Sequence, residues 1–119
     1  MDDKALHTWI SHRADMLFVC LKSLTLTIVG VAITVSLGGL SDDAAVALSI
    51  AVGALGALLW FCAFGAVMDI AAMRKDMSEE LAATAFGTQF SKAPFPVYIG
   101  LTTLVMLGTP VMLIIALNS

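Results

Sequence analysis

Residues Met16–Asp43 read MLFVCLKSLTLTIVGVAITVSLGGLSDD, a run in which Lys22 is the only charged side chain before Asp42. A hydrocarbon core about 30 Å thick is crossed by about 20 helical residues, so the apolar part, about 16–40, is long enough to span it. Gly38 and Gly39 let a helix end, Ser41 suits an N-cap, and Asp42 with Asp43 favours the positive end of the next helix. One apolar helix, a very short turn and a second helix follow from this stretch.

Two more apolar runs lie at about 44–70 and about 96–117. Unbroken runs of this length exclude the alternating strands of a barrel, which leaves helices as the way to satisfy backbone groups in lipid. The expected fold is an all-α integral membrane protein with three transmembrane helices (about 16–40, 44–70 and 96–117) and a tight hairpin between the first two. Composition agrees: of 119 residues, 60% are hydrophobic and 13% charged, and mean hydropathy is +0.98. A formal net charge of −3 without a basic stripe excludes nucleic acid as a partner and leaves the lipid bilayer. The mixed charges Asp2, Asp3, Lys4, Arg13 and Asp15 before a long apolar run, with no small-residue cleavage site, predict that this first segment is retained.

The whole of 1–119 is expected to form a single three-helix membrane domain. Residues 1–15 make an interfacial N-terminal segment, with Leu6, Trp9 and Ile10 on one side; it either lies along the interface or extends helix one as a straight rod. Residues 71–95 form the longer connection, in which Ser78 followed by Glu79 and Glu80 opens a short cytoplasmic amphipathic helix over about 78–90. Lys4, Arg13, Lys22, Arg74, Lys75 and Lys92 are all the basic residues, and all fall on one side. The positive-inside rule then predicts an inner (cytoplasmic) membrane protein with its N-terminus cytoplasmic and its C-terminus periplasmic or exterior.

Small residues recur every four positions in helix two, at Ala45, Ser49, Gly53 and Ala57, and the register continues through Phe61 and Gly65 to Asp69. Gly30, Thr34 and Gly38 on helix one, and Gly100 with Gly108 on helix three, make similar stripes. Such stripes admit close backbone approach, between the three helices or to another protein. Lys22 either snorkels to the interface or pairs with Asp69 or Asp15. Thr109-Pro110 is expected to kink helix three.

Nothing here supports catalysis. No nucleophile has a base at a telling spacing, His7 and His12 are not spaced for metal binding on one helix face, and Cys20 and Cys62 fit small buried hydrophobes. Neither metal nor cofactor is expected. The string SHRAD, Ser11–Asp15, resembles the start of the anchor subunits of succinate dehydrogenase, where a His-Arg pair precedes helix one near the quinone. The similarity covers five residues; it implies a quinone vicinity at Trp9, His12 and Arg13, whereas the haem-ligating His that the family carries on helix two is missing.

Three functions are compatible with these features. The foremost is a small non-catalytic membrane subunit, a scaffold or assembly component of a larger energy-converting, photosynthetic or secretion complex, with other integral membrane subunits as partners and a hetero-complex favoured over a homo-oligomer. A homo-oligomeric channel or holin-like pore would use Thr25, Thr27, Thr34 and Ser36, or Thr102, Thr103 and Thr109, as its polar lining. A quinone-binding membrane anchor of a redox enzyme would use Trp9, His12 and Arg13.

Overall fold

In the computed structural model, which describes residues 2–119, the chain is all helix and turn, with no strand among the described residues. The elements are α1 (Asp3–Leu37), α2 (Asp42–Met73), a 3-10 turn (Arg74–Asp76), α3 (Glu79–Ala82), α4 (Ala85–Lys92) and α5 (Phe95–Leu117). α1, α2 with its 3-10 turn, and α5 are long and apolar enough to cross a membrane. The described chain is a rod of 61 × 22 × 18 Å.

α1 begins far ahead of its apolar run. The Asp2 carboxylate accepts from the Ala5 amide at 2.7 Å and caps the helix. Residues of the expected interfacial segment therefore continue into the span as one helix of 35 residues, about 52 Å long at 1.5 Å per residue. The other end stops at Gly38 and Gly39, whose φ angles of 69° and 72° lie where a Cβ is disfavoured. Ser41 then accepts from the Ala44 amide at 3.2 Å and caps α2.

The segment expected to form one helix over about 78–90 instead forms two. Thr84 breaks it, because its hydroxyl donates back to the Leu81 carbonyl at 2.6 Å and accepts from the Gly87 amide at 3.1 Å, which caps α4 separately. α4 folds tightly over α3: a Cβ on Gly87 would run into the Leu81 carbonyl and the Ala82 Cα.

The three long helices meet along a narrow seam. Val31, Val52 and Leu117 are buried together near the α1–α2 connection, and Cys20, Leu24, Leu59, Ala63 and Met106 further along. On α2 the buried positions Ala45, Val52, Gly56, Leu59, Ala63 and Ala66 follow alternating steps of three, four and seven, the spacing of a coiled-coil seam. Beyond the apolar stretches Leu6, Met73 and Leu81 form a satellite cluster that docks α3 onto the start of α1. Outward, large apolar side chains such as Leu26, Ile50, Phe61 and Leu104 are exposed, an apolar surface compatible with lipid.

Candidate functional site

Of the glycines on the three long helices, Gly56 is the one pressed hardest against a neighbour, at Pro110. A Cβ on Gly56 would collide with the Pro110 ring and stand 3.6 Å from the Met106 carbonyl. Pro110 has no N–H, so it leaves that carbonyl without its usual donor four residues on. Glycine brings α2 against the bare spot, and Pro110 sits inside α5 without ending it. Two polar links join the same helices: Trp60 Nε1 donates to Thr103 Oγ1 at 3.0 Å, and Asn118 Nδ2 donates to Ser49 Oγ at 2.8 Å.

The stripe positions therefore have divided fates. Ala45 is buried, Ser49 and Gly53 are half-buried, and Ala57 is exposed. Steps of four turn a helix through about 400°, so such a stripe drifts about 40° per step away from a fixed neighbour. The intramolecular seam passes through Gly56 rather than Gly53, whose added Cβ would meet only Ile114 at an ordinary 3.6 Å. Gly30, Gly100 and Gly108 have no atom within 4 Å of an added Cβ. Thr34 turns its hydroxyl to the Gly30 carbonyl at 2.9 Å, and Gly38 serves as the helix stop.

The charged end is organised by Arg13. Its Nε lies 3.1 Å from Asp69 Oδ2. The enclosed N–H is not aimed well enough at that oxygen to count as a hydrogen bond, so the contact is Coulombic more than directional. Arg13 also reaches Met16 Sδ at 3.2 Å and lies 5.7 Å from the centre of the Trp9 ring. Trp9 and His12 meet edge-on with centroids 6.1 Å apart. The structure thus gathers Trp9, His12 and Arg13 on one flank of α1, and His12 also lines an open polar hollow with His7, Thr8, Ser11 and Asp15.

Asp69 is engaged by Arg13 instead of Lys22, and register explains why. Lys22 stands 15 residues before the end of α1 at Leu37, whereas Asp69 stands 27 after the start of α2 at Asp42. At 1.5 Å per residue they differ by about 18 Å along the rod, while Arg13 and Asp69 differ by about 4.5 Å. Lys22 and Asp15 are exposed, and among the described residues Arg13–Asp69 is the only ion pair.

An aromatic run closes the same end. His7 packs on Phe86 at 5.0 Å, Phe86 stacks on Phe90 at 5.6 Å, Phe90 meets Phe95 at 5.9 Å and Phe95 meets Tyr98 at 5.7 Å. The Arg74 guanidinium lies 4.6 Å from the Phe95 ring centre, within cation–π range. Below this run is an apolar hollow of about 540 Å³, walled by Leu17 and Leu21 of α1, Val67 of α2, Phe90 of α4, and Leu101 and Met106 of α5. Among the described residues no three His, Cys, Asp or Glu side chains gather into a metal-binding group. Comparison with protein-family models, with curated proteins and with solved structures finds no match to the chain.

Proposed function

We propose that this chain is a small non-catalytic membrane subunit that packs against other integral membrane subunits as a scaffold or assembly component. The observation that supports this is the separation of its glycines. Gly56 is consumed by the internal seam, whereas Gly30, Gly100 and Gly108 lie open on the outside of α1 and α5. Small residues on a lipid-facing surface allow another helix to come close, and dispersion at close range is what associates helices in a solvent as apolar as themselves. In this proposal α1 and α2 act as a tight hairpin, and α3 and α4 lie on the cytoplasmic side with the N-terminus, as the placement of the basic residues implies.

The pore is less well supported by the hydroxyl geometry. Thr25, Thr27, Thr34 and Ser36 each donate to the carbonyl four residues back, at 2.7 to 2.9 Å, and Thr103 accepts from Trp60. The four hydroxyls on α1 thus spend their hydrogens within the chain, which lessens the polarity they offer to water. The quinone anchor draws its support from the Trp9, His12 and Arg13 grouping alone.

The test is extraction of a tagged chain in mild detergent followed by native mass spectrometry. Different subunits bound to the intact chain are expected, with their yield reduced by Gly100→Leu and Gly108→Leu while the melting temperature of the chain itself is unchanged. A bare monomer, or a ring of identical chains, would overturn the proposal.

A further inference from the structure

We propose that the apolar hollow between α1 and α5 is a binding site for one acyl chain of an anionic phospholipid, with its phosphate at Arg74. The inference is independent of the subunit proposal above.

Length is the first ground. The hollow is walled on α1 from Ile10 to Leu21 and on α5 from Phe95 to Met106. Each wall advances 11 residues, about 17 Å at 1.5 Å per residue. A hydrocarbon core about 30 Å thick has leaflets about 15 Å deep, so the hollow matches one leaflet.

Width is the second. A volume of about 540 Å³ spread over about 17 Å leaves a mean cross-section of about 32 Å². An α-helix with side chains is at least about 10 Å across and needs about 80 Å². The hollow takes a single flexible chain along its whole length, whereas a partner helix would enter it only by its side chains. Apart from Tyr98 and Thr102 its walls are apolar side chains, from helices that expose apolar surface all around, so the surrounding hydrocarbon is the solvent that enters it.

Charge at one end specifies the headgroup. Phe95 is a wall residue, and the Arg74 guanidinium lies 4.6 Å from its ring centre. Arg74 Nε donates to the Ala71 carbonyl at 3.2 Å, which orients the guanidinium and leaves its terminal amino groups to meet phosphate oxygens. Lys92 immediately precedes Ala93 on the rim. Both cations stand at the end where the helices leave their apolar stretches, the level at which a phospholipid carries its phosphate.

Purified protein is exchanged into nanodiscs of phosphatidylglycerol and phosphatidylcholine with matched chains, then released for native mass spectrometry. One phosphatidylglycerol per chain is expected to remain bound. Val105→Trp, which fills the wall, is expected to abolish retention, while Val97→Trp, exposed on the same helix outside the hollow, preserves it. Arg74→Gln leaves the apolar walls unaltered and is expected to lower the preference for phosphatidylglycerol by about tenfold, the loss of one charge-assisted hydrogen bond. That arm decides the matter even if Val105→Trp fails to fold. Equal retention of both lipids by the wild-type chain, retention unaffected by Val105→Trp, or a mass other than a phospholipid held by the wild-type chain but not by folded Val105→Trp would overturn the proposal.

Discussion

Asp69 Oδ2 on α2 lies 3.1 Å from Arg13 Nε on α1, so the one ion pair among the described residues joins the two helices far from their connecting turn. It is partly open to solvent, with the Asp69 side chain 49% exposed. Screening therefore limits its worth, and a double-mutant cycle with Arg13→Ala and Asp69→Asn should give a coupling no larger than about 1 kcal/mol. The coupling should shrink as salt is raised. Thermal melts in detergent at low and high ionic strength check both points.

Gly56 and Gly53 should respond in opposite ways to the same change. Gly56→Ala drives a methyl into the Pro110 ring, and overpacking of this kind costs about 1–3 kcal/mol. Gly53→Ala meets only Ile114 at contact distance and gains up to about 1 kcal/mol of helix propensity. Comparing the two melting temperatures would refute the seam assignment if Gly53→Ala proved the more damaging.

Gly87 offers no such latitude. Its added Cβ would meet backbone of α3, which cannot rotate aside as a side chain can. Gly87→Ala should separate α4 from α3 and expose residues 79–92 to protease while α1, α2 and α5 stay folded. Limited proteolysis followed by mass mapping reads the outcome directly.

Ser78 performs two tasks with one hydroxyl. It donates to Asp3 Oδ2 at 2.9 Å and accepts from the Leu81 amide at 3.1 Å. Ser78→Ala should cost about 1 kcal/mol, as for other N-cap losses. Faster amide exchange should appear at both the start of α1 and α3; a change confined to α3 would show that the link to Asp3 carries no weight.

The three apolar runs were readable because length and composition alone decide whether a helix can span lipid, and Gly38, Gly39, Ser41 and Ser78 announced helix ends through their own backbone chemistry. What escaped depended on rotation and register. Steps of four at Ala45, Ser49, Gly53 and Ala57 mimic a face over one or two turns, yet the packed face follows Val52, Gly56, Leu59 and Ala63, a spacing equally present in the sequence. Lys22 looked level with Asp69 because each lies near the edge of an apolar run; counting back from Gly38 would have selected Arg13. Thr84 as a second cap was legible too, since it precedes a short polar and aromatic stretch. Phe95 and Tyr98 were legible as aromatics at the start of α5, but the addition of Phe86 and Phe90 was not, because it needs α4 folded back over the start of α5.

The links between α2 and α5 have a mechanical consequence. The Gly56–Pro110 contact acts as a fulcrum, with Trp60 and Thr103 bonded on one side of it and Ser49 and Asn118 on the other. Three fixings along two axes prevent both scissoring and sliding, so α2 and α5 behave as one stiff plate. Within the span α1 meets that plate through apolar side chains, and beyond it through the Leu6–Met73–Leu81 cluster and the solvent-weakened Arg13–Asp69 pair. Among the described residues, sliding of α1 along the plate would break no side-chain hydrogen bond to α2 or α5; the one it would break is the Asp3–Ser78 bond at its start.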